Sequence, residues 1–242
     1  MEIRASIAMA VYNGEKYIAE QLESIMSMLG EMDEIVISYD ESTDDTYTII
    51  KKYQNNDKRI RVIKNTIRGL ESNFNNAVMN CKGKYIFLAD QDDVWINDKV
   101  NVMVRYMEEN PQIKVLISDG YFTDANLNKQ ETIFEHYKTT ASPIKNFIKG
   151  TYLGCQMAFD SSIRDYVWPV RVTPPLPHDL WLGVVGGGYG KTALLDEKLI
   201  LHRIHSENYT HTSKMKLIGV IKNRWLFLTE IIKVRKKNRK LK

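Results

Sequence analysis

The chain has 242 residues, of which 43% are apolar and 26% are charged, so it is long and apolar enough to form one large α/β domain with a sizeable core. These values exclude disorder over most of the chain. Much of the basic charge lies in residues 233–242, which carry seven basic residues and no acidic one. We therefore expect no nucleic-acid-binding surface spread over the protein, whereas the tail suits a local anionic partner.

Cysteine usage and the first residues predict a cytoplasmic location. Cys81 and Cys155 are far apart and form no CxxC pair, which argues against a disulfide framework or a zinc site and fits a reducing compartment. The residues after Met1 lead straight into a strand-like segment, without the basic and apolar regions of a secretion signal.

Strand-like and helix-like segments alternate in the first half of the chain. Short apolar runs predict strands, and apolar residues at spacings of three and four predict helices. The predicted strands are 6–12, 34–39, 60–63 and 85–89, and the predicted helices are 16–29, one capped by Thr43, 72–81 and 97–109. Repeated β-α-β units indicate an α/β fold with a mainly parallel sheet flanked by helices.

The second half of the chain, after Pro111, gives weaker signals. Strands are predicted at 115–118, 156–159 and 199–201, and a helix is predicted at 178–185. Between them, residues 171–177 contain three prolines, which indicates an irregular loop.

Polar side chains follow three of the predicted strands of the first half. Tyr12 and Asn13 follow the first strand, Asp40 follows the second, and the run 90–93 follows the fourth. Since parallel strands bring their carboxyl ends to one edge of a sheet, where ligands bind, these groups should converge.

The run Asp90-Gln91-Asp92-Asp93 places three carboxylates in four residues. Gathering so much negative charge is costly unless a cation neutralises it. Mg²⁺ and Mn²⁺ favour oxygen ligands and bridge carboxylates to substrate phosphates. A solvated acidic turn is the alternative, but the position of the run at the end of a core strand favours a metal site.

Six motifs together resemble those of family 2 glycosyltransferases, in the family's order and over residues 4–210. The acidic motif is most similar to that of the bacterial branch containing rhamnosyltransferases and O-antigen or capsule enzymes. The motifs are 6–14, 37–44, 89–95, 154–159, 178–181 and 202–208. The resemblance implies a Rossmann-like GT-A fold and inverting transfer from a UDP- or dTDP-sugar to a glycan or lipid-linked glycan, in cell-surface polysaccharide synthesis, with Mn²⁺ or Mg²⁺ as cofactor.

The resemblance also implies which residues bind the nucleotide-sugar donor. Asp40 matches an aspartate that contacts the base or ribose, although Glu41 stands where the family usually has glycine, which leaves base selectivity open. An ordinary helix-entry turn also explains Asp40, and a plain helix N-terminus also explains the matches at Gly69 and Asn73. The implied donor-binding residues are Tyr12, Asn13, Asp40, Gly69, Asn73, Asp90, Gln91 and Arg203.

Metal-binding and catalytic residues follow from the same motifs. Asp92 matches a metal ligand of the DxD motif, and His205 aligns with a histidine that approaches the metal or diphosphate. Asp179 matches the catalytic base, which takes the proton of the acceptor hydroxyl; a first-turn helix acid is the alternative. The residues expected to support the site or contact the acceptor are Asp93, Trp95, His178 and Trp181.

The C-terminal segment has an apolar stripe followed by the basic tail. The stripe residues recur at helical spacing and are Ile218, Ile221, Trp225, Leu228 and Ile232. Such a helix suits peripheral attachment to an anionic membrane, on the inner face of the cell membrane. Packing on the catalytic domain and a homodimer contact are the alternatives. We expect a GT-A domain over 1–212, with a nucleotide half at 1–110 and an acceptor half at 111–212, followed by the helix and tail at 213–242.

Two other functions are compatible with a nucleotide-binding α/β sheet. A sugar-nucleotide nucleotidyltransferase usually has a Gly-rich loop bearing Arg and Lys after its first strand, and residues 12–16 show no such loop. A non-catalytic glycan- or nucleotide-binding module would need neither the acidic motif nor Asp179. Released diphosphate, released pyrophosphate or binding without turnover would separate the three functions.

Overall fold

A computed structural model describes residues 2–205 and 217–239. Its strands are β1 (Ala5–Val11), β2 (Asp33–Tyr39), β3 (Ile60–Lys64), β4 (Tyr85–Ala89), β5 (Val94–Trp95), β6 (Ile113–Thr123), β7 (Lys129–Thr132), β8 (Met157–Asp160) and β9 (Lys191–Arg203). The strands form one sheet in the order β3-β2-β1-β4-β8-β6-β9-β5, with β7 beside β6.

Helices flank this sheet. They are α1 (Ile18–Met26), α2 (Thr46–Asn56), α3 (Leu70–Asn80), α4 (Lys99–Glu109), α5 (Ile133–Tyr137), α6 (Pro143–Lys149), α7 (Arg164–Val167), α8 (His178–Trp181) and α9 (Leu217–Arg239). Short 3₁₀ turns at Gly154–Gln156 and Ser161–Ile163 flank β8, and α8 continues into a π-helical turn at Leu182–Gly186.

The first half of the sheet is parallel and buried on both faces. β1 pairs in parallel with β2 and β4, and β2 pairs in parallel with β3. Ile7 and Met9 of β1 lie in one core cluster with Ile18 of α1, while Ala8 lies in a second cluster with Phe74 of α3. Successive residues of a strand point to opposite faces, so the two clusters are the two sides of the sheet.

The second half of the sheet is mixed. β8 is antiparallel to β4 and β6, β9 is parallel to β6, and β5 is antiparallel to β9. The predicted α/β class and GT-A fold are confirmed, with the parallel pattern concentrated in the first half. These directions bring the start of β8 and the end of β9 to the edge where β4 ends.

Several predicted boundaries are shifted. Thr43 is not the cap of α2, because its amide donates to the Asn13 side chain (2.9 Å) and the helix starts three residues later. Helix α8 ends at Trp181 rather than Val185, since the chain then widens into the π turn. Cys81 and Cys155 are both free and buried.

Helix α9 packs on the body of the protein through a face other than the predicted stripe. Phe227 is buried between Phe147 and Trp181, with ring centroids 5.6 and 5.1 Å away. Trp225, Leu228 and Ile232 of the predicted stripe are exposed. The side chains of Ile218 and Ile221, the boundary at 212–213 and residues 240–242 lie outside the described part. No described helix is long and apolar enough to span a bilayer.

Candidate active site

Tyr12 and Gln91 join the ends of β1 and β4. The Tyr12 amide donates to Gln91 Oε1 (2.9 Å), and Gln91 Nε2 donates to the Tyr12 carbonyl (2.9 Å). A Cβ on Gly14 would lie 2.5 Å from Gln91 Oε1, so this residue must be glycine for the pair to form. Gln91 therefore links residues 90–93, called the acidic loop below, to the end of β1.

Asn13 joins the turns that follow β1 and β2. It adopts φ +46°, which asparagine tolerates better than most residues. Its amide donates to Ser42 Oγ (3.0 Å), and its Oδ1 accepts from the Thr43 amide. Glu41, which replaces the expected glycine, is not among the positive-φ residues of the described chain.

Asp40 is buried where β2, β3 and α3 meet. Its carboxylate accepts hydrogen bonds from Asn65 Nδ2 (2.8 Å) and from the Gly69 amide (3.0 Å). Asn73 reaches the end of β1 by donating from Nδ2 to the Val11 carbonyl (3.1 Å), and its buried Oδ1 has no hydrogen-bond partner among the described residues. Asp40, Gly69 and Asn73 therefore lie together at the edge of the sheet where the parallel strands end, called the rim below.

Arg68 and Tyr12 form an exposed pair beside Asp40. The Arg68 guanidinium lies 4.6 Å from the centroid of the Tyr12 ring and donates to the Tyr12 hydroxyl. The sequence did not single out Arg68. A cation stacked on an aromatic ring at this rim offers both charge for a phosphate and a flat surface for a base.

The carboxylates of Asp90, Asp92 and Asp93 lie close enough to repel one another. Burial, followed by the charges of Asp93 and Asp92, raises the pKa of Asp90 to about 7. Burial and the charge of Asp93 also raise the pKa of Asp92. The negative charge of this loop is therefore unfavourable in the protein alone, and a bound cation would relieve it.

Asp92 and His205 supply a donor set that fits Mn²⁺ or Mg²⁺. Asp92 Oδ2 lies 2.9 Å from His205 Nε2, and Tyr17 packs against the His205 ring with centroids 4.8 Å apart. A carboxylate and an imidazole suit a divalent cation whose other ligands are the diphosphate and water. The structure thus brings the two predicted metal ligands together.

Asp93 and His202 form a buried ion pair beside this site. Asp93 Oδ1 accepts from His202 Nδ1 (2.9 Å) and from the Arg203 amide (3.1 Å). Burial opposes charge on both side chains, yet the charge and hydrogen bond of Asp93 raise the pKa of His202 to about 9. The charge and hydrogen bonds of His202 and the Arg203 amide likewise lower the pKa of Asp93.

Cys155 and Lys99 complete the surroundings of this ion pair. Cys155 Sγ lies 3.7 Å from His202 Nδ1, and the ligand atoms of Asp93, Cys155 and His202 all lie within 4.8 Å of one another. The raised pKa of His202 disfavours the neutral imidazole that a metal needs, so we assign this cluster to the support of the loop. The buried ammonium of Lys99 donates to the Cys155 carbonyl and lies 4.4 Å from the Trp95 ring centroid.

Arg203 is buried and binds the backbone of the acidic loop. Its Nε donates to the Asp92 carbonyl (2.9 Å), its Nη1 donates to the Ala125 carbonyl (2.6 Å), and it pairs with Glu20. Its contact with the donor stays a prediction, whereas the structure shows its hydrogen bond to the Asp92 backbone.

Asp179 lies on the same rim through the contact of α8 with the turn before β8. A Cβ on Gly154 would lie 2.8 Å from His178 Nε2 and 3.9 Å from Asp179 Cβ, and Gly154 directly precedes Cys155. Burial raises the pKa of Asp179, while the charge of His178 opposes the rise. Asp179 is thus a half-buried carboxylate beside the turn that leads to Cys155.

His178 is fixed by residues of α3. Its Nδ1 lies 2.9 Å from Glu71 Oε2, and its ring stacks on Phe74 with centroids 4.1 Å apart. Although burial disfavours protonation, the charge and hydrogen bond of Glu71 raise the pKa of His178 to about 9. His178 therefore positions the first turn of α8, which carries Asp179.

The two tryptophans predicted to support the site are buried. Trp95 packs against Phe87, with centroids 5.8 Å apart, and Trp181 donates from its indole to the Val167 carbonyl (2.7 Å). Both are parts of the scaffold in this structure. Among the residues that the sequence did not single out, Asn65 follows the end of β3 by one position, so the rule that found Asp40 would have found it.

Comparison with known proteins identifies the family. The profile of glycosyl transferase family 2 matches residues 6–167. An Escherichia coli protein, UDP-Glc:alpha-D-GlcNAc-diphosphoundecaprenol beta-1,3-glucosyltransferase WfaP, is 39% identical over 221 residues, covering 88% of this chain and 82% of its own length.

Two solved structures share the fold. S. aureus TarS 1-349 in complex with UDP-GlcNAc has a TM-score of 0.68 at 17% identity, over 93% of this chain and 66% of that one. Mycobacterium tuberculosis glucosyl-3-phosphoglycerate synthase, in complex with Mn²⁺, UDP and phosphoglyceric acid, has a TM-score of 0.61 at 16% identity, over 91% of this chain and 78% of that one. The fold, the motifs and the profile match together show that the chain belongs to glycosyl transferase family 2.

Proposed function

We propose that this protein is a metal-dependent, inverting glycosyltransferase that moves a sugar from a UDP- or dTDP-sugar to a glycan or lipid-linked glycan in cell-surface polysaccharide synthesis. The observation that carries the proposal is the pairing of Asp92 with His205 inside a cluster of three carboxylates, on the rim that also holds Asp179. The printed name of the E. coli relative, which has UDP-Glc as donor and a diphosphoundecaprenol-linked acceptor, supports it.

Residues of the first half of the sheet would bind the nucleotide. Asp40, held by Asn65 and Gly69, and the buried Oδ1 of Asn73 offer acceptors for base and ribose donors. Arg68, exposed on Tyr12, offers a guanidinium to the diphosphate. Asp92 and His205 would hold Mn²⁺ or Mg²⁺, which when bound supplies positive charge to the leaving diphosphate.

Asp179 would act as the general base. Its carboxylate takes the proton of the acceptor hydroxyl as the acceptor oxygen bonds to the anomeric carbon. The bond from that carbon to the diphosphate oxygen breaks on the opposite side, and the nucleoside diphosphate leaves. The raised pKa of Asp179 makes it a stronger base than an exposed aspartate, and the ion pair of His178 with Glu71 keeps its helix turn in place.

A panel of nucleotide sugars tests the proposed reaction. The protein is incubated with UDP- and dTDP-sugars, Mn²⁺ and a lipid-linked or pyranoside acceptor, and the released nucleotide is measured with and without a chelator. Nucleoside diphosphate released only with metal and acceptor is expected. Released pyrophosphate would instead indicate a nucleotidyltransferase, and binding without turnover would indicate a non-catalytic module.

The variant Asp179→Asn tests the proposed base. It should lower kcat by about 100- to 10,000-fold, the usual contribution of a general base, while donor binding measured by calorimetry stays unchanged. Asp165→Asn is the matched control, because Asp165 is an exposed acid on α7. Normal turnover by Asp179→Asn would remove this residue from the mechanism.

A further inference from the structure

Two helices on one side of the protein expose apolar side chains in spite of packing on the core. On α9, Trp225, Leu228 and Ile232 are 69%, 42% and 54% exposed, and on α6, Ile144 and Ile148 are 75% and 66% exposed. Isolated exposed apolar residues are ordinary, but a group of five on two adjoining helices marks an interaction surface.

The two helices touch, which places their exposed side chains in neighbouring parts of the protein surface. Phe147 of α6 packs on Phe227 of α9, and Arg224 donates to the Ile148 carbonyl (3.3 Å). At about 100° per residue, Trp225, Leu228 and Ile232 share one side of α9. Phe227 lies on the opposite side and is only 1% exposed. Among the described residues, the outward stripe is therefore not the face of α9 that packs on the body of the protein.

Basic side chains border this apolar surface. Lys145 and Lys149 are exposed on α6, and Lys233 and Lys236 are exposed on α9. The only acidic residue of these two helices is Glu230, which pairs with Arg171 and Lys233. The sequence then continues to residue 242 with further basic residues and no acid.

We propose that the exposed faces of α6 and α9 form a docking surface for an anionic lipid bilayer. The apolar side chains would enter the boundary between headgroups and acyl chains, while the lysines contact lipid phosphates. A second copy of the chain fits this surface less well, since a symmetric contact would bring two sets of lysines together. This proposal does not depend on the proposed reaction, because its test measures binding of the intact chain to vesicles and involves no turnover.

Vesicle binding tests the apolar stripe. The full chain is floated with vesicles of phosphatidylcholine alone or mixed with phosphatidylglycerol. We expect binding to the mixed vesicles that weakens with salt, and roughly a tenfold or greater loss for Trp225→Ser combined with Leu228→Ser, since burial of each apolar side chain strengthens binding by about fivefold or more. Met79→Ser, an exposed apolar residue on α3, is the matched control and should bind normally.

A charge variant tests the surface without touching the stripe. Lys145→Glu combined with Lys149→Glu should weaken binding to the mixed vesicles by more than about tenfold, because each lysine near an anionic surface contributes roughly fivefold. Lys52→Glu combined with Lys58→Glu changes the net charge equally at exposed positions outside the surface and should have a smaller effect. Equal effects of the two pairs would overturn the proposal.

Two further outcomes would also overturn it. One is absence of binding to mixed vesicles at low salt. The other is a dimer in sedimentation that Trp225→Ser converts to a monomer, without any effect on vesicle binding. All the surface variants should release nucleoside diphosphate normally with a water-soluble acceptor, so loss of lipid binding and loss of the proposed reaction are separate results.

Discussion

Two neighbouring carboxylates of the acidic loop each pair with a histidine, and the two pairs differ in chemistry. Asp92 pairs with His205 and Asp93 with His202, each over 2.9 Å. The pKa of Asp93 is lowered, because His202 and the Arg203 amide compensate its charge, whereas burial and repulsion raise the pKa of Asp92. Neighbouring residues of one type thus become a part of the scaffold in one case and the proposed cation ligand in the other.

Among the variants of the acidic loop, Asp92→Asn should have the largest effect on activity. It removes a charged ligand of the proposed cation, so kcat/KM should fall about 1,000-fold, equivalent to about 4 kcal/mol. Conformational stability should stay the same or rise, since the repulsion with Asp90 and Asp93 is reduced. The rate is measured across a Mn²⁺ titration, and an unchanged Mn²⁺ dependence would contradict the assignment.

The variant Asp93→Asn should show the opposite pattern. It leaves the buried imidazolium of His202 without its counter-charge, so the free energy of unfolding should fall by about 3 kcal/mol. Urea denaturation of this variant beside Asp92→Asn measures the contrast. If both variants lose the same stability, the distinction between a scaffold pair and a ligand pair is wrong.

Stability at alkaline pH should depend on His202. Its pKa of about 9 lies above the usual 6.5, so its stabilisation is complete below pH 6.5 and is lost as the pH rises through about 9. Asp93 remains ionised over this window, because its pKa is lowered. The loss for the wild type should be on the order of 2–3 kcal/mol per histidine.

A matched variant separates the two histidines that titrate in this window. His178 also has a pKa raised to about 9, so His202→Gln should reduce the loss of stability between pH 6.5 and 9 rather than abolish it. Urea midpoints measured at intervals across this range test the expectation. An identical pH profile for the wild type and His202→Gln would show that His202 is neutral in the folded protein.

Much of the proposed donor side of the site was predictable, because a local rule applies there. Strand ends lie at one edge of a parallel sheet, so Tyr12, Asp40 and Asp92 could be placed together from apolar runs alone. The partners of the site were not predictable in this way. His178 meets Glu71, which is 107 residues away, and only the packing of α8 against α3 creates that pair.

The C-terminal helix shows a different limit of sequence analysis. Trp225, Leu228 and Ile232 have helical spacing, but so do Phe227, Ile231 and Val234. Spacing identifies a helix with two apolar stripes and does not decide which one faces the core. The ring contacts of Phe227 decide it.

The starts of α5 and α6 could also have been predicted from the sequence. The caps at Thr132 and Ser142 begin Thr-x-x-Glu and Ser-Pro, which are start signals of helices.

The smallest expected effect concerns Cys155. Asp93, Cys155 and His202 are close enough to share a cation, so distance alone allows a second metal site beside Asp92. Electrostatics argues against it, because the charge of Asp93 raises the pKa of His202 and burial raises the pKa of the Cys155 thiol, which disfavours the two forms that bind a metal. With Co²⁺ in place of Mn²⁺, the wild-type spectrum should show no thiolate-to-cobalt absorption band, and Cys155→Ala should leave the Co²⁺ spectrum unchanged and kcat/KM within about threefold. A thiolate band that disappears in Cys155→Ala would show that the buried cluster binds the metal. The cation would then be held beside the Asp93–His202 pair instead of the Asp92–His205 pair.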